Sequence, residues 1–151
     1  MTALHPGQLV HVGITAVDLD QAKGELSAQL GVTWRGGSPR VMDLVLYGQE
    51  RQVEMRIAHT AEGAPHLELI QCIPDTPWAE ASQGVHHLCY FSEDSVAVGL
   101  GLEAAGHRRI LGRSGTEGGY FQSPSGVIVE VIGVATRDYL ARIASSAPRE
   151  G

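Results

Sequence analysis

Four side chains of this 151-residue chain have the types and positions to hold one divalent cation: His11, Glu68, His87 and Glu130. Glu68 sits in His66-Leu67-Glu68-Leu69-Ile70 and Glu130 in Ile128-Val129-Glu130-Val131-Ile132, each carboxylate flanked by apolar residues. Buried without a partner, either would pay a desolvation cost of several kcal/mol, which a bound cation removes. Two imidazoles and two carboxylates with no thiolate suit Zn²⁺, Ni²⁺, Co²⁺, Mn²⁺ or Fe²⁺ rather than a closed structural zinc site. In an octahedral shell four protein ligands leave two open positions. Two oxygens of a substrate fit there, the arrangement for stabilising an enolate. Taken singly, each residue has an ordinary alternative as a satisfied core histidine or a surface ion-pair carboxylate. What lifts the set above that alternative is where the four recur.

The chain repeats itself. Leu9-Val10-His11-Val12-Gly13-Ile14, a helical stretch from Asp18 to Leu30 and Gly31 are echoed by Val85-His86-His87-Leu88-Cys89-Tyr90, a stretch from Asp94 to Ala105 and Gly106. Asp18 or Asp20, and Asp94 or Ser95, are candidate N-caps, and the glycines are natural helix stops. The predicted apolar stripes are Ala22, Leu26, Leu30 and Val96, Leu100, Ala104. Two further strands fit in each half, about 32–47 and 52–59, then 107–112 and 118–122, before the strands that carry Glu68 and Glu130. The implied unit is β-α-β-β-β, with module one at about 8–73, module two at about 84–134 and a C-terminal helix and tail at 135–151. Within that tail, 137–144 is predicted helical and the last seven residues frayed. Each half thus offers one His from its first strand and one Glu from its last.

Acidic residues outnumber basic ones, 17 against 11, so the surface field disfavours nucleic acid, and no basic stripe compensates. No apolar run has the length of a membrane span, and residues 1–8 lack the layout of a secretory signal, so a single cytoplasmic domain over 1–151 is expected. Cys72 and Cys89 stand in apolar runs without CxxC spacing and read as reduced, buried thiols.

At these residues the sequence resembles the vicinal oxygen chelate superfamily of glyoxalases and bleomycin resistance proteins, over roughly Leu9 to Gly133. Gly84-Val85-His86-His87-Leu88 and Gly126-Val127-Ile128-Val129-Glu130 look most like its methylmalonyl-CoA epimerase branch. The resemblance implies an α+β fold, two tandem β-α-β-β-β modules forming a curved sheet around a metal cleft, one divalent metal ion, and a homodimer. It also favours His87 over His86 as the ligand. Period-two alternation agrees, since only one of two adjacent strand residues can face the cleft.

Proton transfer next to a carbonyl, as in an epimerase or isomerase acting on an acyl-CoA or a similar chelating small molecule, is the function this resemblance implies. Glu54 resembles in position the carboxylate proposed as base in some epimerases; its alternative is an exposed residue paired with Arg51 or Arg56. Glu130 and Glu68 are the other candidate proton carriers. Tyr120, beside the glycine-rich 115–119 stretch, is a candidate donor to a substrate oxygen, and Arg108, Arg109 and Arg113 are either contacts for an anionic carrier or solvated surface. The competing functions are a glyoxalase-like lyase, a ring-cleaving dioxygenase, which usually keeps only one carboxylate, and a metal-free drug-binding resistance protein.

Overall fold

The computed structural model describes Leu4 and residues 8–146. In chain order the elements are β1 (Leu9–Ala16), α1 (Leu19–Leu30), β2 (Trp34–Gly36), β3 (Arg40–Leu46), β4 (Gln49–Met55), β5 (Ile57–Thr60), β6 (His66–Gln71), β7 (Gly84–Phe91), α2 (Ser95–Ala104), β8 (Arg108–Leu111), β9 (Gly119–Gln122), β10 (Ile128–Ile132) and α3 (Val134–Ser146). Residues 147–151 of the predicted frayed tail lie outside the described residues. α3 begins three residues before the predicted terminal helix and runs two beyond it.

Asp18 caps α1 by accepting from the Gln21 amide at 2.9 Å, and Gly31 ends it with a left-handed φ of 70°. Asp94 caps α2 through the Ala97 amide. The buried stripes differ from those predicted. Ala22 and Leu26 face the sheet as predicted, but Leu30 is exposed and Leu19 completes the stripe. In α2 the buried residues are Val98 and Leu102, while Leu100 is exposed. That helix is apolar on most of its circumference, so spacing alone does not choose its inner face.

All ten strands form one mixed sheet in the order β2-β5-β6-β1-β7-β10-β9-β8-β3-β4. β1 runs parallel to β6 and β7 parallel to β10, while β1 and β7 pair antiparallel at the centre. Trp34 pairs with Thr60 and Gly36 with Ala58, then Arg40 with Met55 and Leu46 with Gln49, so β2–β3 and β4–β5 are the two arms of one long, bent hairpin. Arg56 fixes the bend: its guanidinium donates to the Gly37 carbonyl at 2.7 Å and pairs with Asp20 at 3.0 Å. The near end of the hairpin extends the sheet beside β6, and its tip reaches β8 through the Leu46–Leu111 pair. Both ends of the sheet are therefore parts of the same hairpin, and the sheet must curl.

Alternation along the strands then sorts side chains between two faces. On the helix side, Leu19 joins Trp34, Ala58 and Leu69, and Val98 and Leu102 join Phe121 and Val131. On the other face, Leu46, Val53, Met55, Ile70, Trp78, Ile110 and Tyr120 form a third apolar cluster. Burying each such large side chain contributes about 1.5–3 kcal/mol. The polar residues of interest lie on this second face.

Candidate metal centre

The two central strands set the geometry. Gly13 of β1 pairs with Glu68 on one side and His87 on the other, while Cys89 of β7 pairs with Glu130 and His11. Paired residues point to the same face, so both rows deliver a carboxylate and an imidazole to one spot. A Cβ at Gly13 would run into the His87 ring, so glycine is what allows that imidazole to cross the neighbouring strand.

The four ligand-type residues do converge: one N or O atom from each of His11, Glu68, His87 and Glu130 lies within 4.8 Å of the others. His11 Nε2 is 3.0 Å from Glu130 Oε2 and 3.5 Å from Glu68 Oε2; His87 Nε2 is 3.1 Å from Glu130 Oε2 and 3.3 Å from Glu68 Oε1. The two Nε2 atoms are 3.2 Å apart. Donors about 2.1 Å from a common centre stand roughly 3.0 Å apart in an octahedron and about 3.4 Å in a tetrahedron, so these separations fit a single ion. An imidazole nitrogen has at most one hydrogen to give, and His11 Nε2 faces three such atoms. Hydrogen bonding alone leaves this arrangement over-subscribed with acceptors. The donor set therefore fits a divalent cation.

Charge in the metal-free cluster tells the same story. Burial works against charge on His87, but its hydrogen bonds to Glu130 and Glu68 and their negative charge outweigh it and hold its pKa up at about 9. Burial likewise opposes charge on Glu130, yet its hydrogen bonds with His11 and His87 and the charge of His11 bring it down to about 2. Glu68 is held well below the ordinary carboxylate range against its own burial, by the charge of His11 and hydrogen bonds from His59 and His87. Protons on imidazoles occupy the place that suits a cation.

Two residues that sequence reasoning missed, or placed wrongly, belong to this neighbourhood. His59 of β5 pairs with Glu68 across the strands, and its Nε2 lies 2.7 Å from Glu68 Oε2. Nothing in its local sequence distinguishes it; only the β5–β6 register does. His86 was expected to face away from His87. The register of β7 against β1 shifts between Gly13, which pairs with His87, and Ile14, which pairs with Val85, so His86 is the extra residue of a bulge. Both are buried, with His86 Nδ1 2.8 Å from His87 Nδ1.

Glu54 is not brought to the cluster. It is exposed between Val53 and Met55, which point into the apolar cluster on the inner face, so its carboxylate lies on the opposite face of β4. Tyr120 is close, its ring 4.7 Å from that of His87, and its hydroxyl accepts from Trp78 Nε1 at 3.3 Å. Burial and the two carboxylates keep that phenol neutral, well above its ordinary pKa. The arginines have other partners: Arg108 stacks over Tyr47, Arg109 pairs with Glu103 and the Gly118 carbonyl, and Arg113 pairs with Glu50. Cys72 and Cys89 are free thiols, and Cys89 is fully buried with its pKa pushed up by burial and by Glu130 and Glu68. Cys72 is only partly covered.

Comparison with known proteins now bears on this site. Residues 10–122 match the model of the glyoxalase/bleomycin resistance protein/dioxygenase superfamily. The chain belongs to that superfamily. No curated protein matches the sequence. Among solved structures, a methylmalonyl-CoA epimerase in complex with methylmalonyl-CoA and NH4+ aligns at a TM-score of 0.59 and 18% identity, covering 88% of this chain and 96% of that one. The Mycobacterium tuberculosis methylmalonyl-CoA epimerase aligns at 0.58 and 18%, covering 88% and 91%. A hypothetical protein from Bacillus halodurans aligns at 0.57 and 18%, covering 83% and 93%. At these identities the likeness is one of fold. Within the superfamily, the curled sheet with its buried His and Glu cluster is a possible metal site.

Proposed function

We propose that this protein is a metal-dependent enzyme that moves a proton next to a carbonyl, an epimerase or isomerase of an acyl-CoA or similarly chelating small molecule. The observation that carries it is the convergence of two imidazoles and two carboxylates, one pair from each half of the chain, on a space the size of one ion. His11, Glu68, His87 and Glu130 would hold that ion. When bound, the cation supplies Lewis-acid stabilisation for negative charge on a substrate oxygen. Its identity is one of Zn²⁺, Ni²⁺, Co²⁺, Mn²⁺ or Fe²⁺.

The remaining work falls to side chains. With Glu54 on the opposite face, Glu68 and Glu130 would take and return the carbon-bound proton. Glu130 is the more open of the two, its side chain 17% exposed against 9% for Glu68. His59, 24% exposed, lies on the same cluster, so a substrate approaches from their side. Tyr120, kept neutral, is placed to orient a substrate oxygen. The fold neighbours that carry methylmalonyl-CoA and 2-nitronate-propionyl-CoA support a thioester as the first substrate class to try. The second carboxylate, Glu68, favours this reading over a ring-cleaving dioxygenase, which usually retains two histidines and one carboxylate. Retention of all four donors disfavours a metal-free drug-binding role.

Incubating the metal-loaded protein in D₂O with methylmalonyl-CoA and other 2-substituted acyl-CoAs should wash deuterium into the α position, and chelator treatment should stop it. Absence of metal-dependent exchange across such a panel, with glyoxalase activity on thiol hemiacetals instead, would transfer the assignment to the lyase class. The same reading has the protein acting as a homodimer, which sedimentation checks.

A further inference from the structure

The segment joining the two halves, between β6 and β7, reaches the cluster through the Pro77 carbonyl. From His87 a line of contacts runs away from the four-residue cluster into this segment: His87 Nδ1 to His86 Nδ1 at 2.8 Å, then His86 Nε2 to the Pro77 carbonyl at 2.7 Å. The Pro77 carbonyl can only accept, so His86 Nε2 carries the hydrogen. In the neutral ring His86 Nδ1 is then a lone pair, and the contact with His87 requires His87 Nδ1 to be the donor. With Nδ1 committed as a donor, His87 Nε2, the atom 3.1 and 3.3 Å from the two carboxylates, is the nitrogen left to face the cation.

The geometry points to His86 as the positioning residue of this site: anchored on Pro77, it fixes the orientation and tautomer in which His87 offers Nε2 to the cation. The inference rests on the proposed metal function, and it adds a residue to which neither the sequence pattern nor the family match assigns a role. Three further observations show that the anchor is built rather than incidental. The bulge in β7 exists at the one position that turns His86 toward His87. Both rings are buried, so no water competes for the ring nitrogens. The anchoring loop is itself held. Ser82 Oγ donates to the Ala79 carbonyl at 2.7 Å, Thr15 Oγ1 donates to the Ser82 carbonyl at 2.6 Å, and the Trp78 amide donates to Thr76 Oγ1 at 3.1 Å. Thr15 belongs to β1, the strand that carries His11, so the same strand supports both imidazoles. Outer partners of this kind typically change metal affinity by about 10- to 100-fold when removed.

The test uses the full chain with Zn²⁺ as the probe, comparing the unaltered protein with His86→Leu and His86→Gln. Leucine fills the space with neither donor nor acceptor, whereas the glutamine amide can accept from His87 and donate to Pro77. Zn²⁺ affinity, measured by competition with a chromophoric chelator, should fall about 10- to 100-fold in His86→Leu and largely recover in His86→Gln. In ¹⁵N-labelled, Zn²⁺-loaded protein, ring correlations should show His87 bound through Nε2 with a slowly exchanging Nδ1–H, and that hydrogen should exchange rapidly in His86→Leu. A purely structural role would lower the unfolding temperature of both variants alike and leave the tautomer unchanged. His86→Leu with unaltered affinity and a protected Nδ1–H overturns the inference. Should His86→Leu fail to fold, the unaltered protein decides: His87 bound through Nδ1 overturns it, and His87 bound through Nε2 with Nδ1–H protected supports it. Failure of the unaltered protein to bind Zn²⁺ would instead overturn the metal function on which the inference rests.

Discussion

The two halves of the chain contribute the same pair of residues but brace different members of it. In the first half the carboxylate is held, since Glu68 has His59 at 2.7 Å from the neighbouring strand, while the residue next to His11 that corresponds to His86 is Val10. In the second half the imidazole is held, by His86 and through it Pro77, and Glu130 is the more open carboxylate. The middle row differs as well, with Gly13 in one half standing where Cys89 stands in the other. A shared strand frame thus brings the four side chains together, and local departures from it, a bulge and a cross-strand histidine, decide which of them is braced by a further histidine.

The largest effect should come from breaking the row difference. Gly13→Val drives a side chain into the His87 ring and should lower Co²⁺ or Zn²⁺ affinity at least about 100-fold, whereas Cys89→Ala, at the equivalent position, should change it little. An isothermal titration of both variants checks this, and equal losses would deny that the two halves differ there. Next comes removal of an imidazole from the metal-free protein. His87→Leu leaves two buried carboxylates short of a partner and should cost about 3–5 kcal/mol of stability in denaturant melts near pH 6.

The pH dependence of the metal-free protein sharpens the point. The His87 pKa is raised from 6.5 to about 9, so its contribution is full below pH 6.5 and fades as pH rises through about 9. The Glu130 pKa is lowered from 4.5 to about 2, so its contribution is full above pH 4.5 and is lost as pH falls through about 2. Chelator-treated protein should therefore melt highest between pH 4.5 and 6.5 and lower toward pH 9. With saturating Zn²⁺ the trend above pH 6.5 should reverse, because the ion competes with imidazole protons. Scanning calorimetry with and without Zn²⁺ distinguishes the two trends. The smallest effect is expected at the position that resemblance favoured: Glu54→Gln should leave metal affinity and proton exchange within about twofold, as exposed residues away from a site usually do.

Much of this site was legible because buried carboxylates in apolar strands are costly, and a cost repeated in register calls for one cause. His11, Glu68, His87 and Glu130 could be grouped on that ground without knowing how the strands pair. What could not be read was the facing of single residues. Glu54 and His59 differ by an odd number of positions and so lie on opposite faces of the bent strand, but which of them faces inward depends on the register of β5 on β6. That register is set by the turn at 61–65, not by either residue. His86 escaped for a related reason: alternation predicts it outward, and a one-residue bulge is invisible to a period of two. The hairpin bend at Arg56, which splits two predicted strands into four, is likewise fixed by contacts with Gly37 and Asp20 that are distant in sequence.

The central claim is that each half supplies one His and one Glu to a single ion. Its most direct test is a Co²⁺ titration of the full chain followed by visible absorption, alongside one variant from each half, Glu68→Ala and Glu130→Ala. Saturation at one ion per chain is expected, with the affinity sharply reduced by either variant. Absence of saturable binding, or binding that neither variant weakens, would contradict it.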